Sequence, residues 1–126
     1  MKGVIISLCI AVVMVVGSVI YTSHIDAVSE ELAEMNRSII MALEEEDFDA
    51  AERETVKMAE YLDKKDTVLA ATGNHEELDT IEINVFELVS YIHGEQKTDA
   101  LARCNVLGFL FEHLPKNYKL KLENIL

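Results

Sequence analysis

The sequence predicts an all-α protein in which a single N-terminal transmembrane helix continues into an ectodomain of helical hairpins or a four-helix bundle. Residues 3–23, GVIISLCIAVVMVVGSVIYTS, contain no charged side chain. Beyond them, apolar residues recur in steps of three and four through four successive series, the period of one helix face. Strand signals are almost absent. The alternating TIEINVF at 80–86 suits a strand as well as a helix, but no other segment offers it a partner.

The apolar run comes first. At ~1.5 Å per residue it reaches about 30 Å, the thickness of a bilayer's hydrocarbon core. Eleven Val, Ile and Leu side chains between Val4 and Ile20 contribute on the order of −3 to −6 kcal/mol to staying inserted. A cleaved signal has a shorter apolar core, closely followed by a small-x-small site. Here the first such site, Ala27-Val28-Ser29, comes only after His24 and Asp26. Cys9 does not read as a lipidation site, because Leu8 stands where a small residue belongs. Lys2 is the only basic side chain before the span, and none follows until Arg37. The positive-inside rule then leaves the N-terminus in the cytoplasm and the rest outside. The expected division is an anchor over 1–23 and an acidic helical domain over 24–126.

The first ectodomain series is Ile25, Val28, Leu32, Met35, Ile39 and Ala42, a coiled-coil-like seam in direct continuation of the span. It predicts one helix running to about Glu45. The phase breaks after Leu43 and resumes at Phe48, Ala51, Thr55, Met58, Leu62 and Leu69. Asp47 or Asp49 is placed to cap this second helix, and Thr72-Gly73-Asn74 to end it. Leu78, Ile81, Val85, Leu88 and Ile92 form a third series, opened by Asn74 and closed by Gly94. Thr98 or Asp99 is the expected cap of a fourth helix through Leu101, Cys104, Leu107, Leu110 or Phe111, and Leu114. Pro115 is expected to stop it, leaving NYKLKLENIL as a tail with at most one more turn.

Net charge is −12, and −13 once Lys2 is set aside. A polyanion of that size is repelled by nucleic acid and by anionic lipid head groups, which makes both poor partners. The charge is uneven: residues 22–95 carry −15 and residues 96–126 carry +2. Cys9 and Cys104 belong to separate parts of the chain and form no disulfide framework. Cys104, in phase with Leu101, Leu107 and Phe111, reads as a small core hydrophobe.

Chemical motifs are few. His75 and Asp79 share a helix face, but a zincin pattern needs histidine at 79; Asn74 as cap and Glu76 and Glu77 in a first turn explain the same residues. The acidic run Glu44–Glu54 lacks the central glycine of an EF-hand loop and reads as a solvated hairpin tip, or a docking surface for a basic partner. No nucleophile elbow, P-loop, dinucleotide fingerprint or CxxC pair occurs. No catalytic residue, metal ligand or cofactor is therefore expected. Gly3, Ser7 and Ala11 recur every fourth residue along the span, a small-residue stripe of the kind that lets membrane helices approach closely. They are the candidate partner-binding residues, the partner being a second copy or another protein of the same membrane.

The opening MKGVIISL, the turn EEEDFDAAE, the stretch NHEELDTIEI and the ending HLPKNYKLKLENIL together resemble a family of small membrane-anchored proteins of spore-forming Firmicutes, known only as a domain of unknown function. The resemblance covers nearly the whole chain. It implies a bacterial inner-membrane setting and a helical ectodomain, and no activity.

The expected function is that of a non-enzymatic accessory protein, presenting an acidic helical ectodomain beside a membrane partner. The alternative is a cation or small-ligand binder that uses the acidic surface.

Overall fold

The repeating three- and four-residue spacing builds four helices: α1 (Lys2–Glu44), α2 (Phe48–Ala70), α3 (His75–His93) and α4 (Lys97–Ile125). The computed structural model describes residues 1–71 and 75–125, with side chains described through Lys116. Among the described residues there is no strand, and TIEINVF lies inside α3. The stops and caps read at Thr72-Gly73-Asn74 lie outside the described residues.

Each helix packs against two others, in the pairs α1–α2, α2–α3, α3–α4 and α1–α4. With short turns between neighbours this is an up-down-up-down four-helix bundle. α1 is much longer than the others need. Its residues from Ile25 to Leu43 line the bundle, while the apolar residues from Val4 to Ile20 are exposed. Among the described residues one helix is long and apolar enough to cross a membrane, and it is this one.

The four apolar series converge on one core. Ile25, Leu32, Ile39 and Leu43 from α1 meet Ala51, Met58 and Leu69 from α2, with Ile81 and Leu88 from α3 and Cys104, Leu107 and Phe111 from α4; all are completely covered. Each large side chain so buried contributes about 1.5–3 kcal/mol relative to exposure.

The two hairpin turns share one geometry. After α1, Glu46 N–H donates to Leu43 O and Asp47 N–H to Ala42 O; after α3, Glu95 N–H donates to Ile92 O and Gln96 N–H to Tyr91 O. These paired bonds form a Schellman motif, whose turning residue must take positive φ. That residue is Glu46 (φ 57°) in the first turn and Glu95 (φ 53°) in the second. As expected, α3 ends just before Gly94, but the positive φ falls on Glu95. Gly94 still donates to Ser90 O in ordinary helical fashion, and the turn falls on its neighbour.

Asp47 then caps α2, its carboxylate accepting from Ala50 N–H at 3.1 Å. By the same geometry α4 starts at Lys97, ahead of the expected caps. Thr98 and Asp99 lie in its first turn, where Asp99 favours the helix dipole.

Pro115 does not end α4, which continues to Ile125. A proline in a helix lacks the N–H that would reach the carbonyl four residues back. Here that carbonyl belongs to Phe111, and the Ser29 hydroxyl of α1 donates to it. Tertiary packing supplies the hydrogen bond whose loss would otherwise break the helix.

Candidate interaction surfaces

Two buried side-chain hydrogen bonds cross the α1–α4 interface, the first from Ser29 to Phe111. Seven residues beyond Ser29, Asn36 donates from Nδ2 to the Cys104 carbonyl at 2.9 Å. The bonds Ser29–Phe111 and Asn36–Cys104 step seven residues in opposite senses, which fixes an antiparallel register. Gly108 sits at this seam, where a Cβ would come within 3.3 Å of Asn36 Nδ2. The Asn36 Oδ1 is buried and, among the described residues, has no hydrogen-bond partner. Beside it runs a groove of about 570 Å³ lined by Ser29, Ala33, Glu34, Arg37 and Glu112.

At the distal end, the acidic hairpin meets basic groups from the other turn. Lys97 Nζ donates to the Glu44 carbonyl at 3.4 Å and lies 3.8 Å from the Glu46 carboxylate. His93 Nε2 is 2.7 Å from Glu52 Oε1. Three glutamates at a helix C-terminus oppose the dipole, and the Lys97 ammonium against the last carbonyls offsets them. Both pairs are exposed, and each contributes well under 1 kcal/mol.

The stripe residues Gly3, Ser7 and Ala11 lie on the exposed part of α1, and no other helix is brought against them among the described residues. Ser7 satisfies its hydroxyl within the helix, on Gly3 O at 2.9 Å. A Cβ on Gly3 would meet nothing within 4 Å. The apolar seam beyond the span, which the sequence offers as a continuation of the stripe toward a partner, is filled by the bundle's own α2 and α4.

Sequence reasoning missed one surface. Ile83 and Phe86 stand off the buried seam of α3, 59% and 73% exposed, and Val56 of α2 is 46% exposed. A depression of about 340 Å³ between the two helices is lined by Ala59, Leu62, Asp63, Glu82, Val85, Phe86 and Val89. A second, beside the same ring, is lined by Asp79, Glu82, Ile83, Phe86 and Glu87. Two large apolar residues out of phase with their seam were the available signal.

The hydroxyls of Ser38, Thr55, Thr80 and Ser90, like that of Ser29, donate to main-chain carbonyls and not to a base. Cys104 is completely covered, and burial pushes its thiol up to about 12. Tyr61 is also raised, by burial and then by the Glu31 carboxylate. Among the described residues, no three side chains of His, Cys, Asp or Glu are grouped to hold a metal ion. His75 and Asp79 are exposed at the start of α3.

The model of a family described as a domain of unknown function, DUF4363, matches residues 19–125. The chain belongs to the DUF4363 family. The match takes in the later part of α1 and the other three helices, starting near the end of the apolar stretch. No curated protein and no solved structure matches the chain.

Proposed function

We propose that this DUF4363 protein is a single-pass, non-enzymatic accessory protein of the bacterial inner membrane. In this reading its N-terminus is cytoplasmic and its bundle stands outside, beside a membrane partner. The observation that carries the reading is the unbroken course of α1, from an exposed apolar stretch into the bundle core. Side chains such as Val13 and Ile20, 70% and 64% exposed, make a surface that water does not tolerate over such a length. Removal of this stretch as a signal is disfavoured by the burial of the residues just beyond it. Ile25, Val28 and Ser29 are buried, so processing at Ala27–Ser29 cuts into the first turns of the core and detaches the donor to Phe111.

The small-residue stripe Gly3, Ser7 and Ala11 belongs to this proposal as a contact for a membrane partner or a second copy. The cation-binding alternative has no observation in its favour among the described residues.

The test combines topology and proximity. A C-terminal alkaline phosphatase fusion is active, a fluorescent protein exported through the same route stays dark, and the membrane-bound protein retains Met1–Ser23. Photo-crosslinking side chains at Ser7, Ser38 and Phe86 give adducts in cells from at least one position. An inactive phosphatase, a mature N-terminus at Glu30, or no adduct from any position overturns the reading.

A further inference from the structure

We infer that the apolar patch across α2 and α3, centred on Phe86, docks a basic amphipathic helix of a partner protein. The inference rests on the accessory-protein reading and specifies where its ectodomain makes contact.

The patch is continuous. His93 pairs with Glu52, which sets the α2–α3 register, so Val89 stands level with Val56, and Phe86 with Ala59. Ile83 extends the strip toward the end from which the apolar stretch emerges. An exposed phenylalanine between two depressions gives an incoming helix both a ridge and two grooves, the geometry by which helices pack.

Three occupants compete for it. The bilayer is out of reach: Tyr21 donates to Val68 O, which sets the foot of the bundle, and Phe86 stands eleven residues above His75, ~16 Å along the axis. A second copy is opposed by charge. Asp63, Asp79 and Glu82 rim the two depressions and, among the described residues, none of them has an ion-pair partner. A symmetric contact would set these carboxylates against themselves, on chains that each carry −12. A helix with an apolar stripe flanked by Lys or Arg complements both features. Its stripe covers Ile83, Phe86 and Val89, and its cations face the carboxylates. Arg53 and Lys57 near Val56 mark the distal edge of the strip, and Lys57 is already paired with Glu54 at 3.1 Å.

The test uses the full chain in phosphatidylcholine nanodiscs. Three fluorescent 18-residue peptides are titrated by anisotropy, with empty discs subtracted. One is a Leu/Lys helix with a single apolar stripe, one has the same composition with the stripe scrambled, and one carries Glu in place of Lys. The striped Leu/Lys peptide binds at least tenfold more tightly than either control. Phe86→Ser and Ile83→Ser, each checked for unchanged helicity, weaken it tenfold or more, and Asp63→Asn with Glu82→Gln weakens it severalfold. Equal binding to parent and Phe86→Ser reduces the effect to unspecific charge attraction and overturns the inference. So does equal binding of the scrambled peptide, no binding at all, or a sedimenting dimer that Phe86→Ser abolishes. Because the peptides stand in for any native partner, failure here leaves the accessory reading to the in-cell crosslinks, which decide it separately.

Discussion

The Ser29 hydroxyl of α1 donates to the Phe111 carbonyl of α4, the oxygen that Pro115 deprives of its helical N–H. A residue just beyond the apolar stretch thus repairs a helix 82 positions later in the chain. Ser29→Ala leaves a buried acceptor unsatisfied and lowers stability by about 1–2 kcal/mol. In a Pro115→Ala background the N–H returns and the same substitution costs a few tenths. Guanidinium unfolding of the full chain in mild detergent, followed by circular dichroism, measures the cycle. Equal costs in the two backgrounds would refute the coupling.

Positive φ at Glu46 and Glu95 is strained for any residue with a Cβ. Glu46→Gly and Glu95→Gly each relieve that strain, offset by the larger backbone entropy of glycine in the unfolded chain. The expected net gain is roughly 0.5–1 kcal/mol apiece, additive because the turns are separate. Gly94→Ala is close to neutral, since an added Cβ would meet nothing nearer than 3.5 Å. A loss of stability in Glu95→Gly contradicts the turn geometry.

Burial raises Cys104 from 9.0 to about 12. The folded state therefore holds the thiol proton more tightly than the unfolded state. The stabilisation is fully present below about pH 9 and is lost as pH rises toward 12, with a slope of at most ~1.4 kcal/mol per pH unit. Tyr61, raised above 10.0, adds to the loss in the same direction. Unfolding midpoints measured from pH 7 to 11 should be level at first and then fall. In a Cys9→Ala background Cys104 resists iodoacetamide at pH 8.5 until denaturant is added. Prompt alkylation of the folded protein shows the site to be open.

Ser7→Leu with Ala11→Leu keeps the span apolar and fills its small-residue stripe. If a membrane helix packs there, crosslinking from the N-terminal part of α1 falls at least severalfold, while the bundle's helicity is unchanged. Adduct yields identical to the parent's mark the stretch as a passive anchor.

Much of the bundle was legible because burial imposes a period. Ile25, Val28, Leu32 and Ile39, Met58 and Leu62, Ile81 and Leu88, and Leu107 and Leu114 are all buried where their spacing put them. What the period does not encode is the identity of the facing helix. Ser29 and Asn36 look like ordinary polar residues next to a seam until α4 is laid against them. Pro115 misled because local propensity knows nothing of a hydroxyl donated from another helix. Gly94 marked the end of α3 but not the residue that turns, because a permissive residue next to a turn is not always the one that takes positive φ. Phe86 escaped notice because, within TIEINVF, it can be read as part of a strand-like alternation as easily as an unpartnered helix position.

The unbroken course of α1 ties two rotations together. About 18 residues complete five turns of an α-helix, so Ser7 shares its azimuth with Ile25, and Ala11 with Ser29. The stripe therefore points to the side on which α1 meets the rest of the bundle. A helix seated on it within a bilayer stands directly below the bundle, not off to one flank. Inserting one residue near Ser23 swings the two parts apart by about 100°, and seven inserted residues bring them back to within about 20°. Such a ladder of insertions turns the helix itself into a torsion gauge for whether contact on the apolar stretch and contact on the bundle act as a single unit.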